Sequence, residues 1–148
     1  MHTHKPPPLD QVAVVIPALN EAESLPLVLG EIPKVGGVFV VDNGSTDATP
    51  QVASALGAVV IDEPRRGYGQ ACQAGIQAAA TCGMEVIVIL DADHSFDPSE
   101  IGQLVAPIVA GEADMVLGDR THTTESGALL PQQRVGNRIA TVLIHRIT

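Results

Sequence analysis

A chain of 148 residues is long enough for one domain with a real core. It is 45% hydrophobic but only 2% aromatic, so that core must be built from Val, Ile, Leu and Ala. Eight Lys and Arg against seventeen Asp and Glu argue against nucleic acid as a partner, because phosphate backbones are gripped by basic stripes.

Residues 1–10, MHTHKPPPLD, read as a flexible tail stiffened by Pro6, Pro7 and Pro8. His2 and His4 could touch a metal, but in such a segment they read as solvated. The stretch has no apolar core of a secretory signal, and no run in the chain approaches the ~20 apolar residues of a membrane span. Val12–Ile16, Val38–Val41, Ala58–Ile61, Val86–Leu90 and Met115–Gly118 are short, continuous apolar runs. Such runs are expected of strands covered on both faces. Between them, residues 22–33, 46–56, 68–82 and 98–110 have helical spacing. The alternation predicts an α/β fold with right-handed crossovers and a mostly parallel sheet.

Punctuation agrees with these elements. Asp97-Pro98-Ser99-Glu100 has the residues of a helix start, with Asp97 as the cap. Gly57, Gly83 and Gly111 fall where a left-handed residue closes a helix. Gly36-Gly37 makes the turn into the second strand. Cys72 and Cys82, ten residues apart on one predicted helix, are about 15 Å apart at helical rise and cannot bridge. Two reduced thiols point to a cytoplasmic protein. The last segment, QQRVGNRIATVLIHRIT, is expected to be a further helix, with Val135, Ile139, Val142, Leu143 and Ile147 on one face. That face packs on the sheet or, with Arg134, Arg138 and Arg146, lies near a membrane. The chain stops inside this segment, so a C-terminally incomplete domain is expected.

The polar residues carry the functional signal. PALNE, DNGSTD and DADHSFDP follow the first, second and fourth strands directly, at the strand ends where open parallel sheets bind ligands. Each cluster also has an ordinary reading. Asn20 with Glu23 has capping-box spacing, Ser45, Thr46 or Asp47 can cap the second helix, and Asp42 can start a turn. Asp91 and Asp93 are harder to assign to structure alone, because two carboxylates this close repel unless a cation or proton intervenes. No G-x-G-x-x-G follows the first strand and no P-loop is present. A divalent cation would reconcile an anionic ligand with Asp42, Asp91 and Asp93, and would suit a nucleotide diphosphate. Arg65, Arg66 and Arg120 are the cations on hand.

Taken in order, VVIPALNEAESL, VVDNGSTDAT, GYGQACQAGI, VILDADHSFDP and MVLGDR resemble family 2 glycosyltransferases of the GT-A fold, a Rossmann-like nucleotide-sugar-binding architecture. The resemblance runs from Val12 to about Arg146 and is strongest to the dolichyl- and polyprenyl-phosphate mannosyl- and glucosyltransferase branch. It implies a GT-A domain over residues 11–148, with the acceptor part largely missing. It implies that Asp91-Ala92-Asp93 is the D-x-D motif, with Asp91 and Asp93 binding Mg²⁺ or Mn²⁺ and the donor diphosphate. It also implies that Pro17, Ala18, Asn20 and Glu21 meet the nucleoside, that Asp42 reads the base, and that Arg66 and Gly67 belong to the donor site. Arg120 is implied as the basic residue approaching the phosphates and, with Asp93, as catalytic. Ser95 stands where lipid-phosphate enzymes often carry Gln. The implied reaction is inverting transfer of a sugar from a GDP-mannose or UDP-glucose type donor to a lipid phosphate, at the cytoplasmic face of a membrane. Two other readings stand beside it: a nucleotide-sugar-binding fragment without transfer activity, and a haloacid-dehalogenase-type phosphotransfer domain, to which DADHS has a partial likeness.

Overall fold

The structure, a computed structural model, describes residues 9–117 and 142–146. Among these residues, six strands form one sheet in the order β3-β2-β1-β4-β6-β5. These are β1 Val12–Ala18, β2 Gly37–Asp42, β3 Val59–Asp62, β4 Val86–Leu90, β5 Met115–Leu117 and β6 Val142–Arg146. β1 pairs in parallel with β2 and β4, and β2 with β3. The helices are α1 Leu25–Glu31, α2 Thr49–Ala55, α3 Tyr68–Thr81 and α4 Ile101–Val109. This is the mostly parallel α/β sheet that the alternating apolar runs predict.

β1 and β4 are apolar along their whole length because both faces are covered. Val12, Val14, Ile16, Val86, Val88 and Leu90 face a core layer shared with Leu25, Val28, Ala53, Ile101, Val105 and Ile108. Ala13, Val15, Ile87 and Ile89 face the opposite layer, with Ala71 and Ala79 of α3. A β-carbon at Gly75, between those two alanines, would lie 2.2 Å from Val15 Cγ1 and 3.0 Å from Val41 Cγ2. Glycine is therefore what lets α3 approach β1 and β2.

The structure corrects the sequence reading at the chain's two ends and at α1. The expected C-terminal helix is a strand over Val142–Arg146, antiparallel to both β4 and β5. Its apolar run satisfies its backbone groups between two neighbours instead of within a helix, and periodicity alone does not separate these outcomes. Residues 118–141 and 147–148, which include the rest of that segment and Arg120, lie outside the described residues. At the other end, residues 1–8 lie outside them too, but Leu9 already packs on the core and its carbonyl accepts from Val12 N and Gly36 N. The first helix begins at Leu25, not residue 22, with Ser24 before it. It ends at Glu31 because Ile32 precedes Pro33 and is extended, as a pre-proline residue prefers.

The expected helix closures are present: Gly57, Gly83 and Gly111 all have positive φ. Cys72 and Cys82 are both free thiols. Asp97 also caps as expected, its Oδ1 accepting from Ser99 N at 3.0 Å and Ser99 Oγ at 2.7 Å ahead of a 3-10 turn and α4. These bonds hold the Asp97 carboxyl below its ordinary range.

Gly75→Ala should lower unfolding free energy by about 1–3 kcal/mol through overpacking. Gly102→Ala in α4, where a β-carbon meets nothing within 4 Å, should raise it by up to about 1 kcal/mol. Urea denaturation of both variants checks the contrast. Asp97→Ala should cost about 0.5–2 kcal/mol at neutral pH. Because the folded pKa of Asp97 is depressed, its contribution is complete above the unfolded value near ~4 and disappears as pH falls through the folded value. The stability gap between parent and Asp97→Ala should therefore narrow in melts taken from about pH 6 down to about pH 3.

Candidate donor-binding site

The parallel register brings strand ends into line. Ala18 pairs with Asp42, and Asp42 with Asp62. Just beyond that edge lies a cavity of about 480 Å³, within the range of small-ligand sites. It is lined from β1 and its following loop by Pro17, Ala18, Leu19 and Glu21, and from the end of β2 by Asn43. Arg66, Gly67, Tyr68 and Ala71 line it from the start of α3, and Asp91, Ala92 and Asp93 from the end of β4.

Side-chain hydrogen bonds fix these loops, because the sheet ladder has ended. Asn20 sits at φ 55, in the left-handed region that Asn tolerates better than most residues. Its Oδ1 accepts from Thr46 N at 2.8 Å and from Asp47 N at 3.3 Å, while its own N–H donates to Ser45 Oγ at 2.9 Å. Glu21 N donates to Thr49 Oγ1 at 2.9 Å. Asp47 Oδ2 accepts from Ala22 N, and Asp47 Oδ1 takes both the backbone N–H and the hydroxyl of Thr49 at the start of α2. The Thr49 bonds hold the Asp47 carboxyl below its usual range. Asn20 therefore joins two loops instead of capping α1, and Asp47 is the acid that starts α2.

Asn43, 6% exposed, does the same for the loop before α3. Its Nδ2 donates to the carbonyls of Glu63 at 2.9 Å and Arg65 at 2.8 Å, and its Oδ1 accepts from Gly67 N at 3.0 Å. Arg65 is committed elsewhere: its guanidinium pairs with Glu63 Oε1 at 2.6 Å and draws that carboxyl's pKa down. Arg66 is the cation that faces the cavity among the described residues, and its guanidinium lies over Gly44, whose φ is +97°.

The two acids after β4 are oriented separately. Asp93 Oδ1 accepts from Ser95 N at 3.0 Å, and Asp91 Oδ1 accepts from the Tyr68 hydroxyl at 3.2 Å. Burial, and then the Asp91 charge, push the Tyr68 phenol well above its ordinary pKa, so it remains a donor. Burial likewise raises the Cys72 thiol. The Ser24 hydroxyl lies 2.6 Å from the Ala92 carbonyl and 2.8 Å from Glu21 Oε2, tying the acidic turn to the start of α1. His94, at φ 61, closes that turn with Nε2 2.8 Å from Glu31 Oε2.

The cavity thus gathers Pro17, Ala18, Glu21, Arg66, Gly67, Asp91, Ala92 and Asp93, all expected from the sequence. Two further expected residues, Asn20 and Asp42, do not line it. Asp42 is 8% exposed and its Oδ1 accepts from Ser45 N, which is its turn-forming role. Asn43 and Tyr68 line the cavity but were not expected. Their signals were an amide at a strand's carboxyl end and the chain's single tyrosine at a helix start.

Among the described residues, no group of three or more His, Cys, Asp or Glu could hold a metal alone. Two carboxylates of hard oxygen, open to a cavity that also holds Arg66, match the way Mg²⁺-like ions are held, by one or two carboxylates together with substrate phosphates and water. Ser95 Oγ, two residues past Asp93, is buried with no hydrogen-bond partner among the described residues.

Known proteins are similar to this chain in sequence or in fold. An uncharacterised glycosyltransferase of Mycobacterium tuberculosis is 50% identical over 111 residues, covering 75% of this chain and 49% of that protein. Polyprenol monophosphomannose synthase of Mycolicibacterium smegmatis is 36% identical over 124 residues, covering 76% of this chain and 46% of the synthase. The chain spans about half the length of these curated relatives. The crystal structure of Mycobacterium tuberculosis glucosyl-3-phosphoglycerate synthase with Mn²⁺, UDP and glucosyl-3-phosphoglycerate superposes with a TM-score of 0.67. It is 27% identical in sequence, and the match covers 91% of this chain and 56% of the synthase. The sheet is the GT-A arrangement that the motifs imply. The Glycosyl transferase family 2 profile matches residues 13–146, and the chain belongs to that family.

Proposed function

We propose that this chain forms the donor-binding part of a metal-dependent, inverting hexosyltransferase that takes a nucleoside-diphosphate sugar of the GDP-mannose or UDP-glucose type. The observation that carries the reading is the charge balance of the cavity. Glu21, Asp91 and Asp93 line it against Arg66 among the described residues. Such a wall repels a bare diphosphate and accepts one that arrives with a divalent cation. The mycobacterial synthase solved with Mn²⁺ and UDP supports this pairing.

In this reading Pro17, Ala18 and Glu21 border the nucleoside, while Asn20 and Asp42 hold the loops behind it. Arg66 and the backbone at Gly67 meet the diphosphate from one side, and Asp91-Ala92-Asp93 meets it from the other. Asp91 and Asp93 would hold Mg²⁺ or Mn²⁺, which supplies neutralisation of the charge that builds on the leaving nucleoside diphosphate. The acceptor oxygen forms a bond to the anomeric carbon as the bond from that carbon to the diphosphate oxygen breaks, inverting its configuration. Arg120 is retained from the sequence motif as the phosphate-side cation. A polyprenyl or dolichyl phosphate acceptor is supported by the named polyprenol monophosphomannose synthase. It fits the chemistry, since an anionic acceptor needs no strong base. Such an acceptor would bring residues 11–148, as one GT-A domain, to the cytoplasmic face of a membrane as a peripheral contact. No helix among the described residues is long and apolar enough to cross one.

Calorimetry with UDP, GDP, CDP and dTDP, with Mn²⁺ and again with EDTA, tests the reading and names the base. At least one nucleotide should bind in Mn²⁺ and lose most of its affinity in EDTA. Asp93→Asn retains an acceptor for Ser95 N but removes a ligating charge. It should weaken Mn²⁺-supported nucleotide binding at least ~10-fold, equivalent to about 1.4 kcal/mol, with little change in melting temperature. Equal affinity in Mn²⁺ and EDTA, or parent-like binding by Asp93→Asn, would sink the proposal.

A further inference from the structure

We propose that Tyr68 is a positioning residue for the cation-binding carboxylate: its hydroxyl, donated to Asp91 Oδ1, sets the orientation in which Asp91 meets a divalent metal. This rests on the reading of Asp91 and Asp93 as metal carboxylates. Tyr68 is the first residue of α3 and Asp91 follows the last residue of β4, so the bond at 3.2 Å spans the cavity wall between two elements that the sheet and helix packing hold apart. Tyr68 is 56% exposed and lines the cavity, which places its ring at the boundary between site and solvent. Cys72 lies one helical turn further along the same helix.

The two acids are thus served by different devices. Asp93 is oriented by a backbone N–H within its own turn, and Asp91 by a side chain from across the cavity. The choice of a phenol has a physical consequence. An arginine or lysine in its place would orient Asp91 but also cancel the charge a cation needs. A neutral O–H orients it and leaves the charge intact. A carboxylate offers about four lone-pair sites, so a phenol and a cation can be held together. Outer donors of this kind typically account for ~10–100-fold in metal affinity. The hydroxyl adds little to the fold, because α3 is anchored further along by Ala71, Gly75 and Ala79.

The chain has one tyrosine and no tryptophan, so its ultraviolet emission reports Tyr68 alone. Mn²⁺ titrated at a fixed UDP concentration should be followed in parent, Tyr68→Phe and Asp93→Asn. Free Mn²⁺ is read by electron paramagnetic resonance, with melting temperatures in parallel. Tyr68→Phe should bind Mn²⁺ at least ~10-fold more weakly while melting like the parent. Parent emission should be quenched along the same isotherm as paramagnetic Mn²⁺ arrives beside the ring. Parent-like or tighter Mn²⁺ binding by Tyr68→Phe overturns the proposal, as does emission unchanged by Mn²⁺ that is shown to be bound. Parent and Asp93→Asn binding Mn²⁺ equally would instead overturn the metal reading itself, and this inference with it.

Discussion

The site depends on one buried amide. Asn43 stands at the point where β2 leaves the sheet, and it uses both its donors and its acceptor on the loop between β3 and α3. That loop has no ladder to hold it, yet it must present Arg66, Gly67 and Tyr68 at fixed positions. An amide is the side chain that can serve two carbonyls and one N–H at once. A carboxylate at this position would face two carbonyl oxygens with nothing to donate. Asn20 repeats the logic between the β1–α1 and β2–α2 loops, accepting from two successive backbone N–H groups. The core positions the strands, and these two amides turn the strand ends into a cavity.

Electrostatics follows from that framework. The chain carries a formal charge of −9, and the cavity concentrates the same sign on its wall. Arg65, nominally available to an anion, is instead bound to Glu63, so its charge steadies the loop. Arg66 remains turned to the cavity above a glycine that leaves room for the guanidinium. Of the neighbouring arginines in one short turn, one thus serves the loop and the other faces the cavity.

Much of this was legible from residue order. Runs such as VIVIL specify strands because both faces are buried, and Gly57, Gly83 and Gly111 mark helix ends because only a positive φ closes them. Asp91 and Asp93 stood out because nothing local accounts for both charges. The misreadings share a cause, which is that tertiary partners decide between locally similar outcomes. Val142–Arg146 becomes a strand because β4 and β5 leave a gap of strand width between them, a fact no local pattern encodes. Asn20 looks like a cap by its spacing to Glu23, yet its partners are 25 to 27 residues away. Of the neighbours Asp42 and Asn43, the neutral one lines the cavity, and no sequence pattern distinguishes which of two adjacent polar residues at a strand end will do so.

The close seating of α3 on the sheet bears on the thermodynamics of recognition. At Gly75 the helix backbone comes so close to Val15 and Val41 that not even a methyl group fits between them. The first turn of α3, where Gly67 and Tyr68 face the cavity, extends from that close contact. A wall that is already ordered loses little conformational entropy when a ligand arrives. The amides of α3 around Gly75 should then rank among the slowest to exchange hydrogen with solvent, and a ligand entering beside Gly67 and Tyr68 meets a wall that is already in place.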